Sequence, residues 1–404
     1  MMDATNTTRR ANPPKLATLV LMASVGPLAM NVFLPSLPTM SRHFQVDYAV
    51  VQLLISLYLV ALAVTQLFIG PASDRYGRRP VLLICFSLFC LATLAAIFSP
   101  SFSALLGWRL IQALSAAGIV LSRAIVRDVF AAEDSASKIA YITMGMSVTP
   151  MIAPFIGGYL DEHFGWQASF WLSFGFGLVA VVVLWFDLEE TNLDPSPSMR
   201  AQFHAYPELL RSPRFWGYTA TATFASGTFF AFLGGGPYVS TEILQMTPSQ
   251  YGIHFGIVSF GYMAGNFLSG RFTKAWGMNR MMMLGSLVGV AGMLLSLACF
   301  AAGFYHPISL FGPAALVGVG NGMALPSANA GIVSVRPHLA GSASGLGGSL
   351  MIAGGALAAA TASSLLGPDT GPFPLIHVAL ASALLSVLAS YWVIRRTAKV
   401  GELE

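Results

Sequence analysis

Arg109 is a lone cation inside a long apolar stretch, with Gln112 one helical turn further on. A guanidinium offers five donors in a planar fork and can hold carbonyls, carboxylates or an anionic ligand. It lies about seven residues from the nearer end of that stretch, roughly 10 Å at 1.5 Å per residue. A central Arg costs at least about 2.5–3.5 kcal/mol in lipid, so it is predicted to face the bundle interior or an aqueous cavity; a snorkelling side chain that only packs is the alternative. Its charge is expected to serve that cavity and not the fold. Asn31 is predicted at a similar depth in the first stretch. An integral membrane enzyme is disfavoured, because its chemistry usually needs clustered carboxylates, a metal-ligand set or an activated nucleophile. None of the 17 acidic residues lies within an apolar stretch. An ATP-driven pump is disfavoured too, since the chain has no Gly-x-x-x-x-Gly-Lys-Ser/Thr loop. Cys85, Cys90 and Cys299 sit inside stretches and read as small packing residues, so no disulfide frame, metal site or cofactor is expected.

Further polar or aromatic residues near mid-stretch are candidates for the same cavity: Gln52, Tyr58, Met144, Met146, Phe229, Phe232, Tyr238, His254, Asn266, Asn321 and Asn329. At helical spacing, Tyr, Phe and Met more often pack helices together. Asn321 and Asn329 are the stronger candidates, since buried amides need partners in a bilayer. His254 could titrate near neutral pH, though a satisfied helix-end histidine fits equally well.

These residues must be positioned by helices. A bilayer core about 30 Å thick takes roughly 20 apolar residues per span. Spans are predicted at 16–40, 48–70, 81–98, 102–124, 138–160, 167–186, 214–239, 250–270, 281–301, 308–334, 342–366 and 374–394. The chain is 55% hydrophobic and only 9% charged, with mean hydropathy +0.69, where soluble domains carry roughly 25% charged residues. Apolar runs without an alternating polar face mean an all-α bundle and not a barrel. The first stretch lacks a small-residue cleavage site and is expected to be retained. All but two of the 21 Lys and Arg residues fall in alternate gaps, among them Arg9, Arg10, Lys15, Arg200, Arg271, Arg336 and Arg395. This bias places the basic gaps and both termini in the cytoplasm. Net charge +4 therefore reports topology, and no nucleic-acid partner is expected.

The longest hydrophilic gap, 187–213, is rich in Asp, Glu and Pro, as a solvated linker would be. It divides the chain into six-span bundles at 1–186 and 214–404. Gly70 and Gly77, in the turn after the second span, recur 200 residues later as Gly270 and Gly277, with Trp276 for Tyr76 and Lys274 for Asp74. The halves read as a pseudo-symmetric repeat around a central site.

The string Gly70-Pro71-Ala72-Ser73-Asp74-Arg75-Tyr76-Gly77-Arg78-Arg79-Pro80 suits a tight turn that must move, its glycines permitting positive φ or close approach. It resembles the signature loop of the major facilitator superfamily. Ala29 to Pro38, Gln66 to Pro80, Arg109-Leu110-Ile111-Gln112, Arg127-Asp128-Val129-Phe130 and Ala153 to Gly158 are similar, in place and order, to motifs of the bicyclomycin and chloramphenicol/florfenicol exporters. Ala153 stands where Gly is usual there, and Asn31 where Asp is common. The resemblance implies a twelve-span drug:proton antiporter and assigns Arg109 and Gln112 to the substrate and proton pathway. It implies a small amphipathic, phenicol-like substrate, a monomer among membrane lipids, and the bacterial cytoplasmic (inner) membrane. A facilitator or importer of a polar metabolite on the same fold is the alternative. Gly70, Asp74, Arg75, Gly77, Arg78, Arg127 and Asp128 are expected to gate the cytoplasmic side through a charge network. Pro150, Pro154, Gly157 and Gly158 are expected to bend or smooth the fifth span. With no acid in any span, Arg109, Asp128, Glu242 and His254 are the proton-coupling candidates.

Overall fold

The structure, a computed structural model, describes residues 13–130, 132–192, 206–336 and 340–401 of the 404-residue chain. Arg9, Arg10, Arg200 and positions 193–205 of the expected linker lie outside the described residues. Every regular element described is helical, the arrangement by which backbone groups satisfy one another in lipid. The long helices are α1 (Leu16–Phe44), α2 (Tyr48–Tyr76), α3 (Arg78–Ile97), α4 (Phe102–Val129), α5 (Ala132–Phe164) and α6 (Gln167–Asp187). They continue as α7 (Pro213–Tyr238), α8 (Pro248–Trp276), α9 (Met278–Ala301), α10 (Pro307–Ser334), α11 (Ala340–Ser364) and α12 (Phe373–Gly401). Among the described residues, nine are long and apolar enough to cross a membrane by length and composition, and α5, α7 and α8 complete the twelve.

The outer surface is that of a membrane protein. Phe98, Phe186, Phe267 and Leu357 are exposed, and Trp171, Trp185, Trp216 and Trp392 stand partly out of the bundle. Such an apolar surface belongs in lipid, with tryptophans favoured at its borders. Within the first half α1 packs on α5 and α6, and α3 on α6; within the second, α7 packs on α11 and α12, and α10 on α8 and α9. Contact between the halves runs through α5 on α8 and α2 on α11. The repeat is visible in the backbone: positive φ recurs at Gln45 and Gln245 (52° and 54°) and at Gly77 and Gly277 (95° and 80°).

Two expectations need correction. The apolar pattern predicts the fifth span at 138–160, but α5 runs on to Phe164 and brings Asp161, only 6% exposed, into its last turn. An acid is therefore buried in the bundle after all; the sequence hid it because Asp161 begins a polar Asp-Glu-His run that reads as a helix end. Residues 187–192 are not a solvated linker: Leu188 and Thr191 are buried, because the Glu190 carboxylate is drawn to unpaired amides described below. A short helix, Tyr206–Leu210, precedes α7.

Candidate functional site

Three helix breaks surround Arg109. In α1 regular helix stops at Asn31 and resumes through a 3-10 turn, Leu34–Ser36, because Pro35 brings no amide to the ladder. The first turn of α2 gives way at Gln52, and α4 tightens into a 3-10 turn at Ala113–Ser115. Arg109 is 1% exposed. Its Nε donates to Leu54 O at 3.2 Å, Nη1 to Gln112 Oε1 at 2.7 Å and Nη2 to Ala29 O at 2.9 Å. The guanidinium lies between two rings, 4.2 Å from the centroid of Phe33 and 4.1 Å from that of Tyr58. Gln112 Nε2 donates onward to Thr93 Oγ1 at 2.8 Å, and Thr93 to Phe89 O at 2.6 Å. Tyr58 OH pairs with Ser115 Oγ at 3.0 Å. One cation thus ties α1, α2, α3 and α4 together through carbonyls, an amide and two π faces, and none of these partners is a carboxylate. Carbonyl dipoles and ring quadrupoles offset the desolvation of a charge that has no counter-ion among the described residues. Asn31 is buried nearby in sequence: Nδ2 bonds Pro27 O at 2.8 Å, while Oδ1 has no hydrogen-bond partner.

At the end of the bundle that carries Gly77 and the basic loops, here the basic end, Arg78 is the hub. It pairs with Asp74 and, through Nε, with Asp128 Oδ2 at 3.0 Å, while Nη1 reaches Ser73 Oγ at 2.6 Å. Gly77 at φ 95° turns the chain between α2 and α3. The first amides of α3, those of Arg78 and Arg79, donate to Glu190 Oε1 and Oε2 at 2.8 and 3.1 Å. A carboxylate at a helix N-terminus satisfies unpaired amides and complements the helix dipole. Thr191 Oγ1 donates to Asp128 at 3.2 Å, and Asn192 Nδ2 to Asp74 O at 2.8 Å. Arg75 lies outside this network, against the ring of Tyr76, and so does Arg127, whose Nε reaches Arg123 O at 3.4 Å. Gly70 is helical with open space where a Cβ would go, so neither close approach nor positive φ requires glycine there.

At the opposite, far end the halves meet. Arg42 Nη1 bonds Glu242 Oε1 at 3.2 Å. Gln52 Nε2 donates to Gly234 O and to Tyr48 OH, and Tyr48 packs against Tyr238 with ring centroids 4.8 Å apart and the planes tilted by 45°. The α5 and α8 backbones touch: a Cβ on Gly158 would run into Pro248 O, and one on Gly252 into Pro154 O. Small residues allow such close helix packing in a bilayer. Gly157 makes the same approach to Val32 O of α1, and α5 runs unbroken through Pro150 and Pro154.

The Major Facilitator Superfamily model matches residues 19–359 and 236–403. The chain belongs to the major facilitator superfamily. It is 30% identical to Multidrug resistance protein D of Escherichia coli over 94% of this chain and 95% of that one. It is 28% identical to a chloramphenicol resistance protein of Pseudomonas aeruginosa, covering 81% and 77% of the two. A solved nucleoside transporter shares the fold with TM-score 0.73 at 14% identity, over 94% of this chain and 98% of that one. The major facilitator chain is thus a multi-pass membrane transporter of small molecules, and not an enzyme.

The second half of this major facilitator protein holds the remaining candidates. Asn321 is buried and donates to Thr228 Oγ1 at 3.4 Å. Thr228, Phe229, Phe232, Met293, Leu310 and Val317 line a small apolar cavity, and Phe232 packs on Phe255 and Phe311. Asn266 bonds Tyr262 O of its own helix at 2.9 Å. His254 sits near the far end of α8, with Nδ1 2.8 Å from Gln250 O. Asn329 and Met144 are exposed, and Met146 packs partly buried against the core. The structure thus brings together Arg109, Gln112 and Tyr58 on one side and Phe229, Phe232 and Asn321 on the other. Sequence reasoning missed Thr93, Ser115 and Phe33 around Arg109, Glu190 at the basic end, and the whole far-end closure. A signal existed for Glu190, a carboxylate pair just after an apolar span; Thr93 and Ser115 have none, being ordinary small polar residues of apolar helices.

Proposed function

We propose that this major facilitator protein is a secondary active exporter of small amphipathic compounds, phenicol-like or related, working by alternating access and coupled to protons. It resides in the bacterial inner membrane as a monomer, with both termini and the basic end in the cytoplasm, and its two six-helix halves, 1–186 and 214–404, are joined through 187–213. The observation that carries this reading is the far-end closure: two repeat-related bundles meet through α5 on α8 and α2 on α11, held by Arg42–Glu242 and the Gly234 contacts. Opening it while closing the basic end is the motion such a repeat supports. The resistance named for the relatives supports export. A mid-membrane set with one cation, neutral amides and aromatic rings favours neutral or anionic amphipathic compounds over lipophilic cations. Arg109 and Gln112 position the broken part of α1 against α2 and α4, so that a moving α1 carries Asn31 with it. Growth of a drug-sensitive host across a compound panel identifies the substrate. Everted vesicles given an inside-acid gradient are expected to accumulate it, and loss of accumulation on collapsing the gradient confirms coupling. A second reading, a facilitator, is favoured by Asn31, a position at which the exporters commonly carry Asp; transport that ignores the gradient would support it.

A further inference from the structure

We propose that Asp161 is a proton-binding residue of the far end, which gains Arg42 as a partner when Glu242 leaves it. The proposal rests on the alternating-access reading above and adds the acid that position 31 lacks. Asp161 is nine-tenths buried in the last turn of α5. Its Oδ2 accepts one hydrogen bond, from Thr39 Oγ1 at 2.9 Å, and its Oδ1 accepts none. The Ser36 hydroxyl approaches the carboxyl without completing a bond and is itself buried without a partner. Arg42 Nη2 donates to the same Thr39 Oγ1 at 3.4 Å, while its Nη1 is held by Glu242 of the second half. The cation is thus one hydroxyl away from Asp161 and drawn off it by an acid on the other bundle.

The remaining charged and titratable groups nearby do not replace it. Glu162, next in sequence, adds a like charge and faces Ser249 and Thr247 at the start of α8. His163 is bonded to Tyr159 O, and His43 packs on Trp166 and Phe44. Desolvation outweighs the pull of Arg42, which Glu242 holds away from it, so the buried carboxylate is disfavoured relative to the neutral acid. As the neutral acid, Asp161 donates its proton to Ser36 Oγ and both unpaired atoms are satisfied. When the halves part, Glu242 departs with α7, Arg42 stays on α1, and Asp161 ionises against it. Protons from the far side therefore favour closure of this end, and their loss favours opening.

Spin labels at Ser103→Cys and Ala301→Cys, both exposed at the far end in opposite halves, in a chain lacking Cys85, Cys90 and Cys299, report that separation in lipid nanodiscs. Titration is followed between about pH 4 and pH 9, the range to which burial can move a carboxyl. Wild type is expected to shift severalfold from short to long distances as pH rises. Asp161→Asn stays short and flat, and Arg42→Gln is also flat because the open state has lost its cation. A wild-type pH response in either variant, or no response in wild type, overturns the proposal. Where Asp161→Asn does not fold, Arg42→Gln alone decides. No substrate is present, so a mistaken exporter reading leaves this outcome unaffected.

Discussion

In their turns the two halves repeat one another at an offset of 200 residues, whereas in their interiors they do not. Gln45 and Gln245 both leave a helix with positive φ, and Gly77 and Gly277 both turn the chain between paired helices. Inside, the first half is organised around Arg109 and its relay of Gln112 and Thr93, while the second is tied by small hydroxyls, Ser286 with Ser386 and Ser390, and by the Asn321–Thr228 contact among phenylalanines and a small apolar cavity. Backbone devices are tied to chain geometry and persist in both copies, whereas side chains facing the centre are free to specialise. Arg42 and Glu242 show both at once: they occupy equivalent places in the repeat, carry opposite charge, and pair with each other across the far end.

The largest expected effect is at Arg109. Arg109→Ala leaves Gln112 Oε1 and the Ala29 and Leu54 carbonyls without this donor, at about 1–3 kcal/mol for each acceptor left unsatisfied. We expect abolished transport and a clear fall in thermal stability in detergent, in place of the stable but inactive variant that the sequence suggested. Arg109→Lys should recover part of both, since a point ammonium cannot reach three acceptors in a plane. Unchanged stability in Arg109→Ala would show that the two interiors differ less than the geometry indicates.

Next is the pair Gly77→Ala and Gly277→Ala. Both positions have φ near 90° with extended ψ, a region nearly reserved for glycine, so each costs about 1–3 kcal/mol. Only at Gly77 would the new methyl also collide with the Glu190 carboxylate and dislodge it from the α3 amides. Gly77→Ala is therefore expected to lower the melting temperature further than Gly277→Ala, and equal shifts would remove Glu190 from the account.

Asn31→Asp probes the same asymmetry through function. A carboxylate there would provide a proton-responsive group on α1, so efflux should become more steeply dependent on pH. If efflux collapses with the gradient in wild type and the variant changes neither rate nor pH profile, position 31 is only a polar wall. The smallest effect belongs to Asn321→Ala, which loses one 3.4 Å hydrogen bond and should cost under about 1 kcal/mol. Gln112→Ala, which cuts a relay in two places, should cost more in the same assay.

Much of this architecture was legible in the sequence because lipid imposes it: runs of apolar residues, alternating basic gaps and a glycine turn that recurs at a fixed offset each have a single physical cause. Arg109 stood out for the same reason, as a charge where charge is costly. Its partners did not, because the carbonyls of Ala29 and Leu54 are exposed by helix breaks that no residue type announces. Glu190 looked like linker until the unpaired amides of α3 were in view. Asp161 was missed because a run of polar residues at a helix end reads as solvent, whereas packing against α1 carries the bundle one turn further. Contacts between halves, such as Tyr48 with Tyr238, leave no trace in local sequence.

The central claim, that transport requires the far end to open, is tested most directly by locking it. Tyr48→Cys with Tyr238→Cys, in a chain without Cys85, Cys90 and Cys299, places two thiols where packed, tilted rings now bridge the halves. Treatment with a short bifunctional thiol reagent should abolish drug accumulation in everted vesicles, and reduction should restore it. Accumulation at the untreated rate in quantitatively cross-linked protein would contradict the account.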